Sequence, residues 1–137
     1  MSDAAIVLPW IAWRRYGDVE IIGRFWEAMN RYLDFILLNN SDYLWRNERS
    51  QDCGDWLALN EIEIDSTLPP TPKDLLATAY WARDANLLAE MAQAIGRMSD
   101  AERLRSLFIR VRLAFNIQHS AFIYLDEKLA TEPVGEF

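Results

Sequence analysis

The chain has 137 residues, 51% of them hydrophobic and 12% aromatic, with only five Gly and five Pro, which fits one folded domain and excludes collagen-like and low-complexity polymers. Fourteen Lys and Arg against 21 Asp and Glu give a formal net charge of −7, a field that repels polyanions, so neither a nucleic acid nor an anionic membrane surface is an expected partner. One cysteine, Cys53, and one histidine, His119, cannot build a Cys/His zinc cage, and no cofactor or metal is expected.

At the N-terminus the basic pair Arg14-Arg15 follows a short apolar run, whereas a secretory signal carries its positive charge first. No stretch has the roughly 20 apolar residues that span a bilayer, and the expected location is cytoplasmic.

Helical periodicity dominates. The run Leu8-Pro9-Trp10-Ile11-Ala12-Trp13-Arg14-Arg15-Tyr16-Gly17 predicts a short helix with Pro9 in its first turn and Gly17 as the left-handed residue that ends it. Asp18 is placed to cap the next helix. Over residues 18–38, Ile22, Phe25, Trp26, Met29, Leu33, Ile36 and Leu37 recur at spacings of three and four with charged and polar residues between them, the pattern of an amphipathic helix.

The connection over 39–70 is long for a compact domain and mixes aromatics with acids, so it is where chemistry is sought. A third helix is predicted from Thr71 as N-cap, Pro72 in the first turn and Asp74 behind it. Its apolar stripe runs through Leu75, Leu76, Ala79, Tyr80, Leu87, Leu88, Met91 and Ile95, and Gly96 closes it. Ser99-Asp100-Ala101-Glu102 reads as a capping box opening a fourth helix with Leu104, Leu107, Phe108, Val111, Ala114 and Phe115 inward. Residues 126–137 read as a frayed tail. The whole is an all-α single domain over 1–137, and two helix pairs in series fit an array of antiparallel hairpins.

Asp55-Trp56 suits a sugar, because an indole face covers the C–H side of a pyranose while a carboxylate accepts from hydroxyls. From spacing alone the commoner reading is a core Trp on a turn, with Asp55 bonding nearby backbone amides. His119 lacks a carboxylate at a motif spacing and reads as a surface or end-of-helix residue rather than a general base. Cys53 reads as inert, and Glu61, Glu63 and Asp65 as a solvated edge without EF-hand spacing. Arg103, Arg105, Arg110 and Arg112 are expected on the polar face of the fourth helix, paired with acids.

Taken in order, Leu8-Pro9-Trp10 through Tyr16-Gly17-Asp18, Phe25-Trp26 through Asp34, Gly54-Asp55-Trp56-Leu57, Thr71-Pro72-Lys73-Asp74 through Tyr80, and Ala114-Phe115-Asn116 resemble the catalytic barrel of bacterial α-L-rhamnosidases over residues 8–118. The resemblance implies part of an (α/α) barrel of six helical hairpins and metal-independent, inverting hydrolysis of a rhamnose-containing glycoside. It implies Asp55 and Trp56 as substrate-binding positions, with Trp10 a weaker third whose place in the first turn of a helix is more often core.

Inverting hydrolysis needs a general acid and a general base about 6.5 to 9.5 Å apart. In the family the acid lies upstream of the Pro-Trp segment and the base well downstream of the Phe-Asn segment, so both catalytic carboxylates are expected outside this chain. From His119 onward the chain departs from the family pattern and lacks its Gln-Thr signature. The expectation is a truncated domain without independent catalysis, keeping at most part of a sugar subsite. The alternative is a small self-association or interaction module, because a wall cut from its neighbours exposes helix edges that find a homodimer partner or the missing barrel half.

Overall fold

The computed structural model describes residues 3–49 and 71–120. They form four helices in chain order: α1 (Ala4–Tyr16), α2 (Glu20–Asn39), α3 (Lys73–Ala94) and α4 (Met98–Gln118). No strand occurs among the described residues, and none of their helices is long and apolar enough to cross a membrane. The helix count and the all-α class agree with the sequence; several boundaries and faces do not.

Helix α1 begins four residues before Leu8, so Pro9 lies inside the helix rather than in its first turn. Pro9 is buried, and the turn preceding it is anchored by Asp3, whose carbonyl accepts the amides of Ile6 and Val7 at 2.9 Å each. The helix ends as expected: Gly17 sits at φ 71° and donates its amide to the Trp13 carbonyl at 2.8 Å. The α1–α2 turn is tight. Val19 occupies the residue before α2, yet Asp18 does the capping, its Oδ1 accepting the amides of Glu20 at 3.1 Å and Ile21 at 3.2 Å.

On α2 the inward face is Ile22, Trp26, Met29, Leu33 and Ile36, while Phe25 turns out to be exposed and Leu37 half-buried. The narrower stripe follows from geometry, since a single packed face spans about 100° and Phe25 falls outside it.

Helix α3 differs most from expectation. It starts at Lys73 with Pro72 one position outside, and Tyr80 and Ala79 are exposed while the unanticipated Trp81 is fully buried. Burial runs around the helix through Thr78, Trp81, Ala82, Asp84, Ala85, Leu87, Leu88, Ala89, Met91 and Ala92, because α3 packs against all three other helices. Its small alanines permit close approach, and the α3–α4 pairing is the most extensive in the fold.

The turn between α3 and α4 closes with Gly96 at φ 77°, its amide on the Gln93 carbonyl at 3.1 Å and the Arg97 amide on the Ala92 carbonyl at 2.8 Å. Those two bonds satisfy the last carbonyls of α3 in a Schellman arrangement. Helix α4 then starts at Met98, so Ser99 lies inside it and the capping box is not formed; the first turn is held instead by the Arg97 carbonyl, which accepts the Ala101 amide at 2.9 Å.

Cross-links fix the helix directions. Trp10 Nε1 donates to Glu90 Oε2 at 3.0 Å, and Asp3 lies close enough to Asp84 to perturb its carboxyl, so α1 and α3 run parallel. The Arg97 guanidinium lies 5.0 Å from the Trp26 ring centroid, Arg103 donates to Asn30 Oδ1 at 2.6 Å, and Arg110 to the Tyr43 hydroxyl at 2.8 Å, so α2 and α4 are also parallel. Alternating directions with like-directed helices side by side describe two antiparallel hairpins laid next to each other.

The connection leaves α2 through a polar knot. Asn40, 1% exposed, donates Nδ2 to the Ile36 carbonyl at 3.0 Å and accepts the amides of Arg46 and Asn47 on Oδ1 at 2.9 Å each. Trp45 is buried beside it, donating Nε1 to the Asn47 carbonyl at 3.1 Å and its backbone amide to Thr78 Oγ1 on α3 at 2.9 Å. Replacing Asn40 by Ala removes the acceptor that gathers the part-buried amides of Arg46 and Asn47, of which the Arg46 amide keeps the Leu44 carbonyl, and we expect a loss of about 1 to 2 kcal/mol, read as a lower urea midpoint with unchanged slope.

Candidate functional site

Of the positions singled out in the sequence, Asp55 and Trp56 lie outside the described residues, as do Cys53, Glu61, Glu63 and Asp65. Trp10 is described. It sits in mid-helix rather than in a first turn, half-buried, with its indole N–H committed to Glu90. Glu90 is held on both oxygens, since Asn86 Nδ2 donates to its Oε1 at 3.2 Å. The Arg14 guanidinium lies 5.8 Å from the Trp10 ring centroid and 5.6 Å from that of Trp13. Trp10 therefore serves the α1–α3 contact in this structure.

His119 follows α4 as expected for an end-of-helix residue, but it is buried rather than at the surface, its ring 5.1 Å from that of Phe115. The α4 arginines only partly match expectation. Arg103 reaches Asp34 at 3.6 Å and Asp100 at 3.7 Å, but Arg105 bonds Gln93, Arg110 bonds Tyr43 and Arg112 lies over Phe108. The exposed ion pairs are worth little individually; their effect is to tie α4 to α2 and to the start of the connection.

The residue that sequence reasoning missed is Asp84. It is fully buried on α3, neither carboxyl oxygen has a hydrogen-bond partner, and one turn before it the fully buried Trp81 indole N–H is likewise without one. Burial, reinforced by Asp3 and opposed by Arg83, pushes the Asp84 carboxyl up to about 8. The available signal was its phase: Asp84 stands four residues after Tyr80 and four before Leu88, an acid in step with an apolar stripe.

At neutral pH Asp84 is a carboxylic acid, chemically able to give a proton. Sealed from solvent, it does not reach a glycosidic oxygen in this conformation. No group of three or more His, Cys, Asp or Glu is placed to hold a metal among the described residues.

The sign of the pH dependence is fixed. The folded chain holds the Asp84 proton that the unfolded chain, with an ordinary carboxyl near 3.8, releases; stability is therefore full at acid pH and falls as pH rises toward about 8. The expected slope from this group is about 1.4 kcal/mol per pH unit between pH 5 and 7.5. Urea melts across that range should show it in the native chain and not in Asp84→Asn.

Comparison with known proteins covers nearly the whole chain. The model of the bacterial alpha-L-rhamnosidase 6 hairpin glycosidase domain matches residues 2–128. An alpha-L-rhamnosidase of Streptomyces avermitilis is 34% identical over 128 residues, 93% of this chain and 11% of that protein. An alpha-L-rhamnosidase of Formosa agariphila is 25% identical over 114 residues, 83% of this chain and 12% of that protein. No solved structure matches. The chain thus spans about a tenth of the length of these curated relatives. With four helices laid out as two adjacent hairpins and a family match from residue 2 to residue 128, the chain belongs to the bacterial α-L-rhamnosidase six-hairpin glycosidase domain family.

Proposed function

We propose that these residues form a wall segment of an α-L-rhamnosidase-like barrel and carry no hydrolysis by themselves. The observation that supports this most is the family match over 2–128 in a chain covering 11% and 12% of its relatives. Both catalytic carboxylates, on the resemblance, lie outside it, and the conspicuous acid inside it, Asp84, is sealed. What the chain contributes to a rhamnoside is part of a subsite: Asp55 as hydrogen-bond acceptor and Trp56 as stacking surface. Trp10 is a third position, through its ring face, since its N–H is already bonded.

A subsite open on one side covers little of a monosaccharide, so affinity no better than millimolar, about 4 kcal/mol, is expected. The purified chain should release no aglycone from an aryl α-L-rhamnoside. Saturation-transfer NMR with millimolar L-rhamnose should give a signal that Trp56→Ala removes and a non-ligand hexose does not produce. Turnover lost in Asp55→Asn would overturn the non-catalytic reading; absence of any rhamnose signal would overturn the subsite.

A second reading, self-association, is favoured by one observation. Ile109, Leu113 and Ile117 are 58%, 58% and 72% exposed and recur every four residues on α4, away from the Leu104, Leu107 and Val111 face that packs inward. If this stripe pairs two copies, light scattering at tens of micromolar should give a dimer mass that Leu113→Glu returns to monomer. A monomeric native chain would exclude it.

A further inference from the structure

We propose that the exposed face of α4 docks an acidic amphipathic helix from outside this chain, with Ile109, Leu113 and Ile117 as the apolar row of the docking surface and Arg105, Arg110 and Arg112 as its charged borders.

The row is continuous. At about 100° per residue, Ile109 and Ile117 stand about 40° to either side of Leu113, so the three form one ridge opposite the buried Leu104, Leu107 and Val111. Ser106 and Asn116 are exposed on the same face. A ridge with short side chains beside it suits the ridges-into-grooves packing of a second helix.

The borders select the chemistry of that helix. Arg110 lies about 60° to one side of Leu113, and Arg105 and Arg112 about 80° to 100° to the other. All three are exposed. Their partners among the described residues are neutral: Arg105 donates to Gln93 Oε1 at 3.3 Å, Arg110 donates to the Tyr43 hydroxyl at 2.8 Å, and Arg112 lies 6.0 Å from the Phe108 ring centroid. Arg103, earlier on the same helix, differs in having Asp34 and Asp100 beside it. No acid occurs in the sequence from 105 to 118, and Glu102, the nearest on this face, stands about two turns before Ile109. An apolar row between cations that have no local counter-charge is complementary to an apolar row between anions.

A second copy of the chain lacks that chemistry. Two-fold pairing brings the same patch of each copy together, and whichever way the two helices run, arginine borders then meet arginine borders. The stripe is the one on which self-association would rest, but its occupant is different, so a dimer supports that reading and overturns this one.

The test uses the full isotope-labelled chain and a synthetic helical peptide of about 18 residues, with leucines every three and four positions between glutamates. Its control is the same peptide with lysines in place of the glutamates. The glutamate peptide should shift the amide NMR signals of residues 105–118, and the lysine peptide should bind at least about tenfold more weakly, the size of three exposed charge pairs. Changing Arg105, Arg110 and Arg112 together to Gln should cost the same factor for the glutamate peptide, while changing them to Lys should keep its affinity. Light scattering of the native chain alone should give a monomer. Equal affinity for the two peptides, shifts centred away from α4, no binding at millimolar peptide, or a native dimer that Leu113→Glu dissociates would each overturn the proposal. Should the glutamine variant not fold, the two peptides on the native chain decide.

Discussion

Helix α3 buries a wide arc of its surface and leaves a narrow outer stripe through Ala79, Arg83 and Gln93, and that constraint organises the rest of the molecule. A helix buried over so wide an arc must be apolar or small at nearly every inward position, and α3 meets the demand with four alanines, two leucines, Met91 and Trp81. Two polar residues stand in the buried part and are treated differently. Thr78 is paired, its hydroxyl accepting the Trp45 amide, whereas Asp84 is left without a hydrogen bond. The first links the connection to the core; the second makes the core depend on a proton.

Because Thr78 receives Trp45 and Asn40 gathers the amides of Arg46 and Asn47, the first ten residues of the connection are tied to α2 and α3 before the chain reaches Gly54-Asp55-Trp56. Tyr43 at φ 64° and Glu48 at φ 55° show the backbone bent into the left-handed region to make this knot. Such conformations cost a non-glycine residue about 1 kcal/mol or more and persist where surrounding bonds determine them. Here the determining bonds are the Asn40 carboxamide and the buried Trp45 ring, with Arg110 of α4 holding the Tyr43 hydroxyl from outside.

Much of this was legible in sequence because it is local. Gly17 and Gly96 end helices through a backbone conformation that side chains disfavour, Asp18 caps through a short side chain, and the α2 stripe follows the helical period. What escaped was tertiary. Tyr80 and Trp81 are adjacent aromatics, and which of them turns inward depends on where the neighbouring helices lie. The same holds for Ser99, whose capping chemistry was sound but was overtaken when the Schellman turn placed the helix start two residues earlier. Asp84 was passed over for a related reason: despite its phase, a carboxylate in an apolar stripe is ordinarily assigned to solvent, and only the tertiary packing around α3 shows it sealed.

The family resemblance was the most legible feature and the least local, carried by the order of short segments rather than by any one of them, and the match over residues 2–128 agrees with it. It does not by itself define a site. Trp10, read as a sugar contact by resemblance, is held by Glu90 in the α1–α3 contact, so its indole N–H is already used while one part of its ring remains accessible. The same residue thus serves packing at one edge and can serve a ligand only by its face. That division of labour follows from the packing: residues between like-directed helices hold the hairpins in register. The proposed subsite accordingly uses the connection carrying Asp55 and Trp56 rather than the helix faces.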